Sequence, residues 1–145
     1  LALSARLLQP VLAHDLRLAT MRLARRLRQQ RADHGVPLGQ ISVLATLDRL
    51  GPLTPGALAQ HEQVRPPTMT RVLAALDGAG YLQRVADPND GRSQLVSLTP
   101  SAQKMLRDDR RRRDEWLAAH LIDLTPEQRD ALRVALPVLE VLADS

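Results

Sequence analysis

Arg65, Pro67, Thr68, Thr70 and Arg71 fall within one stretch, V-R-P-P-T-M-T-R-V-L-A-A-L-D-G-A-G, residues 64–80. Met69, Val72, Leu73 and Leu76 recur there at spacings of three, one and three, which lines them along one face of a helix. The opposite face carries Pro67, Thr68, Arg71 and Ala75, with Thr70 and Ala74 on its flanks. Arg and Thr offer hydrogen bonds, while Ala and Pro are short enough to let the backbone approach another surface. An arginine fork bonds phosphates and guanine edges in a bidentate way that lysine does not match. Arg65 stands beside the helix start, where it would clamp a phosphate. Pro66 suits the first turn, and Gly78 and Gly80 supply the stop. A solvated amphipathic helix would read the same on this stretch alone, so the neighbouring elements decide.

Other chemistries find little support. The chain has no Gly-rich phosphate loop, no H-E-x-x-H, no G-x-S-x-G and no cysteine. Carboxylates abound but sit among arginines at helical pairing distance: Asp108 with Arg112, Asp109 with Arg113, Arg110 with Asp114, Arg111 with Glu115. That pattern predicts solvated ion pairs rather than acid/base work. His14, His34, His61 and His120 are scattered without ligand spacing and read as surface or capping histidines. Neither a metal nor a cofactor is expected, and the missing thiol excludes cysteine-based redox sensing. Aromatic residues at 1% argue against single-stranded nucleic acid, whose bases stack on rings.

At 145 residues the chain is one domain, or a small domain with helical extensions. The formal charge of +4 is modest and almost all arginine, Lys104 being the only lysine, so a polyanion footprint must be local. Absent cysteines fit a reducing cytoplasm. No apolar run approaches the roughly 18 residues of a membrane span. The opening L-A-L-S-A-R-L-L-Q-P-V-L-A superficially resembles a signal sequence, but Arg6, Gln9 and Pro10 interrupt it. A cytoplasmic protein with no membrane partner is the expectation.

Around the 64–80 stretch, periodicity predicts a long amphipathic helix over Val11–Asp33 and a second over Leu38–Leu50, with Ile41, Leu44 and Leu47 inward. Thr54-Pro55 signs a short helix through His61, and the same Thr-Pro start recurs at Thr99 and Thr125. A short helix, a tight turn and a second helix make a helix-turn-helix pattern. Tyr81–Ala86 and Gln94–Leu98 flank the turn signal D-P-N-D-G-R, which predicts a hairpin, here a wing. Two helices close the chain, Thr99–Leu121 and Pro126–Ala143, the latter with a kink or break expected at Pro137.

The terminal helices carry apolar stripes, notably Leu12, Leu16, Leu117, Leu121, Leu132, Leu136 and Leu139. A two-fold homodimer that interlocks both chain ends is the economical way to cover them. Two copies of the 64–80 helix would then face successive major grooves about 34 Å apart on a near-palindrome.

This order of elements resembles the MarR family of bacterial transcription regulators, from about Leu12 to the end. D-P-N-D-G-R-S-Q-L-V-S-L-T, residues 87–99, matches the family wing pattern of D-x-R followed by L-x-x-L-T, and Thr70-Arg71 followed by V-L-x-x-L and G-Y-L matches its recognition helix. Pro66-Pro67 departs from the Ser/Thr/Ala-rich start usual there. The resemblance implies that Arg92 enters the minor groove while Asp90 orients its guanidinium by a salt bridge. It also implies a repressor of double-stranded DNA released by a small lipophilic or phenolic effector, whose pocket the sequence does not identify; Arg17, Met21, Arg25 and Trp116 are plausible neighbours. Arg84 would reach phosphate from the hairpin. The expected architecture is mainly α with a small β-hairpin: a winged helix-turn-helix over 37–99, and a helical dimerisation region over 1–36 and 100–145. The competing reading is a winged-helix module that binds protein, which calls for an apolar outer face.

Overall fold

The computed structural model describes residues 2–145, with side chains from residue 8 onward. The first residue, and the side chains through Leu7, Arg6 included, lie outside the described residues. The elements run α1 (Ala2–Arg28), α2 (Leu38–Leu50), α3 (Pro55–His61), α4 (Pro66–Gly78), β1 (Leu82–Ala86), β2 (Gln94–Leu98), α5 (Pro100–Ile122) and α6 (Pro126–Ala143). The fold is mainly α with one antiparallel hairpin, in which Leu82 faces Leu98 and Ala86 faces Gln94. Leu53 bridges Val96 and so adds a third short edge to the wing.

Local chemistry explains most boundaries. The side chains of Thr54, Thr99 and Thr125 accept hydrogen bonds from the N–H groups of Ala57 (3.1 Å), Ala102 (3.3 Å) and Gln128 (3.2 Å). Gln128 reciprocates to Thr125 N–H at 3.0 Å, completing a capping box. The helix α4 ends in a Schellman motif: Gly80 takes φ +79, Tyr81 N–H donates to Leu76 and Gly80 N–H to Asp77.

Two helices depart from expectation. α1 runs through Pro10, because the Leu, Ala and Arg around it are strong helix formers that outweigh one lost bond. It stops at Arg28 rather than Asp33, since Ala32 N–H, which would continue it, donates instead to Asp109 Oδ1 at 2.9 Å. α6 is unbroken across Pro137. Arg133 and Pro137 are exposed, so water can serve the carbonyl that Pro137 cannot bond.

The chain forms two compact units, Leu1–Arg31 with Arg111–Ser145, and Ala32–Arg110. In the second, Val36, Ala102, Met105 and Leu106 are buried in the core beside Leu44, Leu47, Leu58, Met69, Leu73, Leu76 and Val96. The first unit buries no residue among those described. Its α1 exposes Leu8, Val11, Leu12 and Met21, and its α6 exposes Leu132, Leu136 and Leu139, while Leu16, Leu117 and Leu121 are half-buried. Within this unit the Arg26 guanidinium lies 5.7 Å over the Trp116 ring, and Arg129 donates to the Leu121 and Leu124 carbonyls across the α5–α6 turn. No helix among the described residues is long and apolar enough to cross a membrane.

Candidate nucleic-acid interface

The helix-turn-helix is held from beneath by α4, whose Met69, Leu73 and Leu76 are buried while Val72 is half-buried. Its outward face therefore presents Pro67, Thr70, Arg71, Ala74 and Ala75 to solvent, with Thr68 half-buried beside them. Thr70 Oγ1 donates back to the Pro66 carbonyl at 3.0 Å, which leaves its lone pairs outward. Arg65 is the N-cap residue and makes no side-chain cap. Pro66 and Pro67 occupy the first two helical positions, so two of the free N–H groups that a helix start normally aims at an anion are missing. Of the amides at this helix start only that of Thr68 remains beside the Arg65 side chain.

The wing is a chain of local turns. Asp87 Oδ1 accepts from Asn89 N–H at 2.9 Å, and Asp90 Oδ1 accepts from Arg92 N–H at 3.0 Å. Asp90 Oδ2 accepts from the Ser93 hydroxyl at 3.1 Å. The expected salt bridge is therefore corrected: Asp90 grips the Arg92 backbone and the next side chain, and the guanidinium is left to solvent. The Thr99 hydroxyl fastens the base of the wing to the end of α4 by donating to Gly80 O at 2.7 Å. Among the described residues Arg65, Arg71, Arg84 and Arg92 are exposed and form no ion pair, whereas Arg110, Arg111 and Arg133 are paired with Asp48, Glu115 and Asp130.

Four features escaped the sequence. Asp109 does not pair with Arg113 on the surface; it is buried, accepting from Ala32 N–H and from His34 Nε2 at 2.9 Å each. Val36 N–H points at His34 Nδ1 (3.1 Å), so the ring hydrogen sits on Nε2 and faces the carboxylate. His34 is thus neither a surface nor a capping histidine. The legible signal was the spacing of Ala102, Met105, Leu106 and Asp109, which sets Asp109 on the apolar stripe of α5. Arg110 reaches across to Asp48 of α2 rather than along the helix to Asp114. Glu62 accepts from the Ser42 and Thr46 hydroxyls at 2.7 and 2.6 Å. Gln63 next to it is the one described non-glycine residue with positive φ, at 54°, a conformation that costs an L residue on the order of 1–2 kcal/mol. Among the described residues no group of three or more His, Asp or Glu side chains could hold a metal ion.

Comparison with known proteins agrees with this geometry. An HTH-type transcriptional regulator of Mycobacterium tuberculosis is 47% identical over 133 residues, spanning 92% of this chain and 93% of that protein. A second, from Mycobacterium leprae, matches to the same extent. A solved transcriptional regulator protein of Pseudomonas aeruginosa superposes with a TM-score of 0.84 at 34% identity, over 94% of this chain and 96% of that one. These relatives are transcriptional regulators rather than enzymes. The sequence model of the MarR family matches residues 36–94, and with relatives this similar across nearly its whole length the chain belongs to the MarR family of helix-turn-helix transcriptional regulators.

Proposed function

We propose that the protein is a repressor that binds double-stranded DNA sequence-specifically as a homodimer on a near-palindromic operator, and that a small lipophilic or phenolic effector releases it. The carrying observation is the outer surface of α4 and the wing: Arg65, Arg71, Arg84 and Arg92 project without intramolecular carboxylates, while Thr68, Thr70 and Pro67 shape the surface between them. Arg71 and Thr68 read base edges or phosphates in the major groove, Arg65 and Arg84 clamp phosphate, and Arg92 enters the minor groove from a tip shaped by Asp90. A protein-docking wing would turn large apolar residues outward from α4, and its exposed positions hold none.

The exposed stripes of α1 and α6 support the second copy. Leu12 and Leu136 are 66% and 55% exposed, and apolar stripes of this size are a cost in water that a matching copy removes. An effector that binds the two ends of the dimer's conformational range with unequal affinity shifts the separation of its recognition helices and so its hold on DNA. Titration of DNA flanking the protein's own gene at two salt concentrations, with sedimentation to establish the stoichiometry, tests the reading. Tight, salt-sensitive binding of two chains per site is expected, and addition of phenolic carboxylates should release it. A chain that stays monomeric and retards no DNA overturns the proposal.

A further inference from the structure

We infer that Glu62 is a positioning residue for the DNA contact, fixing the angle at which the helix-turn-helix presents α4; this rests on the reading that the outer face of α4 meets DNA. The connection from α3 to α4 is only Glu62, Gln63, Val64 and Arg65, so any rotation within it is transmitted directly to the start of the recognition helix. Gln63 stands in the left-handed region at φ 54°, where glycine is the residue at ease. Backbone bonds hold the turn on one side: Gln63 N–H donates to Gln60 and Val64 N–H to Ala59. On the other side the Glu62 carboxylate uses both of its oxygens on α2, accepting from Ser42 Oγ at 2.7 Å and Thr46 Oγ1 at 2.6 Å.

α2 is the suitable reference for such a clamp. Its Val43, Leu44 and Leu47 are among the most deeply buried side chains of the winged unit, and Thr46 itself is 7% exposed. The turn is thereby registered against a helix packed into the core rather than against solvent. A residue strained in isolation persists only where its surroundings over-determine it, and two charge-assisted bonds to a rigid helix do so.

The test measures operator binding of the full-length protein by fluorescence anisotropy against two probes, DNA flanking its own gene and a scrambled fragment of equal length. Glu62→Ala should lower affinity for the first about tenfold and for the second less than twofold, because backbone attraction by arginine tolerates a mis-set helix and base reading does not. Adding Gln63→Gly should restore part of the loss, since glycine adopts the positive φ unaided. Ser42→Ala, at an exposed position, removes one of the two bonds with little risk to folding and should cost about threefold on the first probe with an unchanged Tm. Parallel losses on both probes, no rescue by Gln63→Gly, or full affinity in folded Ser42→Ala and Glu62→Ala proteins would each reduce Glu62 to a stabilising contact and overturn the inference. A parent protein that binds neither probe overturns the DNA reading itself, and this inference with it.

Discussion

Between Ala32 and Arg110 the chain buries Leu, Val, Met and Ala side chains from four helices and the wing, whereas none of the described residues of 8–31 and 111–145 is buried. The two units have similar apolar content to work with but unequal means of hiding it. In the first, elements of different direction close over one another, so α2, α3, α4, both strands and the start of α5 share a core whose buried side chains include no aromatic ring, with the half-buried Tyr81 packed against it. In the second, long helices leave a stripe along their length, and a single chain has nothing to lay against it. One unit closes a core of its own; the other, on the proposal above, is completed by association. On that proposal the division also separates function: the self-sufficient unit carries the reading surface, and the dependent one brings two such surfaces together.

The sharpest way to break this contrast is to charge the dependent surface. Leu136→Glu on α6 should be nearly silent in a monomer, where the position is 55% exposed. In a dimer it buries a carboxylate without a partner, at about 4 kcal/mol, or roughly a thousandfold in the dimer dissociation constant. Sedimentation should then show monomers, and affinity for a two-half-site operator should collapse with them. Unchanged assembly would place the second copy elsewhere and dissolve the contrast.

The self-sufficient unit should respond in the opposite way. Asp109→Asn keeps an acceptor for Ala32 N–H but offers its amide hydrogens to His34 Nε2, which already carries a hydrogen as long as Val36 N–H occupies Nδ1. One member of that chain must lose its bond in a buried site, which should lower stability by about 2–3 kcal/mol. Thermal unfolding should report the loss while the oligomeric state stays as it was.

What could be read from the sequence follows the same divide between local and distant causes. Met69, Val72, Leu73 and Leu76, the three Thr caps and the turn at 87–92 are all encoded within a few residues, and each stands where spacing and turn chemistry put it. Asp109 and His34 are 75 positions apart in the chain, and Glu62 finds Ser42 and Thr46 only after α2 and α3 have packed. No periodicity announces such meetings, although the stripe position of Asp109 hinted at one. Asp90 shows a subtler limit: a carboxylate two residues before an arginine can hold its guanidinium or its amide, and the tight turn brings the amide closer. Pro10 and Pro137 carry a real local penalty that the surrounding helix formers absorb. The DNA-facing roles of Arg65, Arg71, Arg84 and Arg92 come from residue type and family resemblance, to which the structure adds exposure and freedom from internal carboxylates.

Within the reading surface the two helix-borne arginines should part company. Arg71 projects from the middle of the outward face, so Arg71→Ala should weaken operator binding by about 1–3 kcal/mol and relax preference at the base it reads. The comparison of operator with scrambled DNA measures that directly. An equal loss on both would move Arg71 to the phosphates.

Arg65 has a narrower task and a smaller expected effect. With prolines in the first two helical positions, the start of α4 lacks amide donors that elsewhere share the work of holding a phosphate. On the proposed reading the guanidinium at the N-cap is the local phosphate anchor and reads no base. Arg65→Ala should weaken all DNA alike and reduce the slope of log affinity against log salt by about one unit for each half-site. Replacing Pro67 by Ser in that background would give the helix start an amide back, and recovery of part of the lost affinity at low salt would show that the prolines had shifted phosphate binding from backbone to side chain. If the slope stays put in Arg65→Ala, the anchor is one of the wing arginines, and the helix touches DNA only through Arg71 and the threonines.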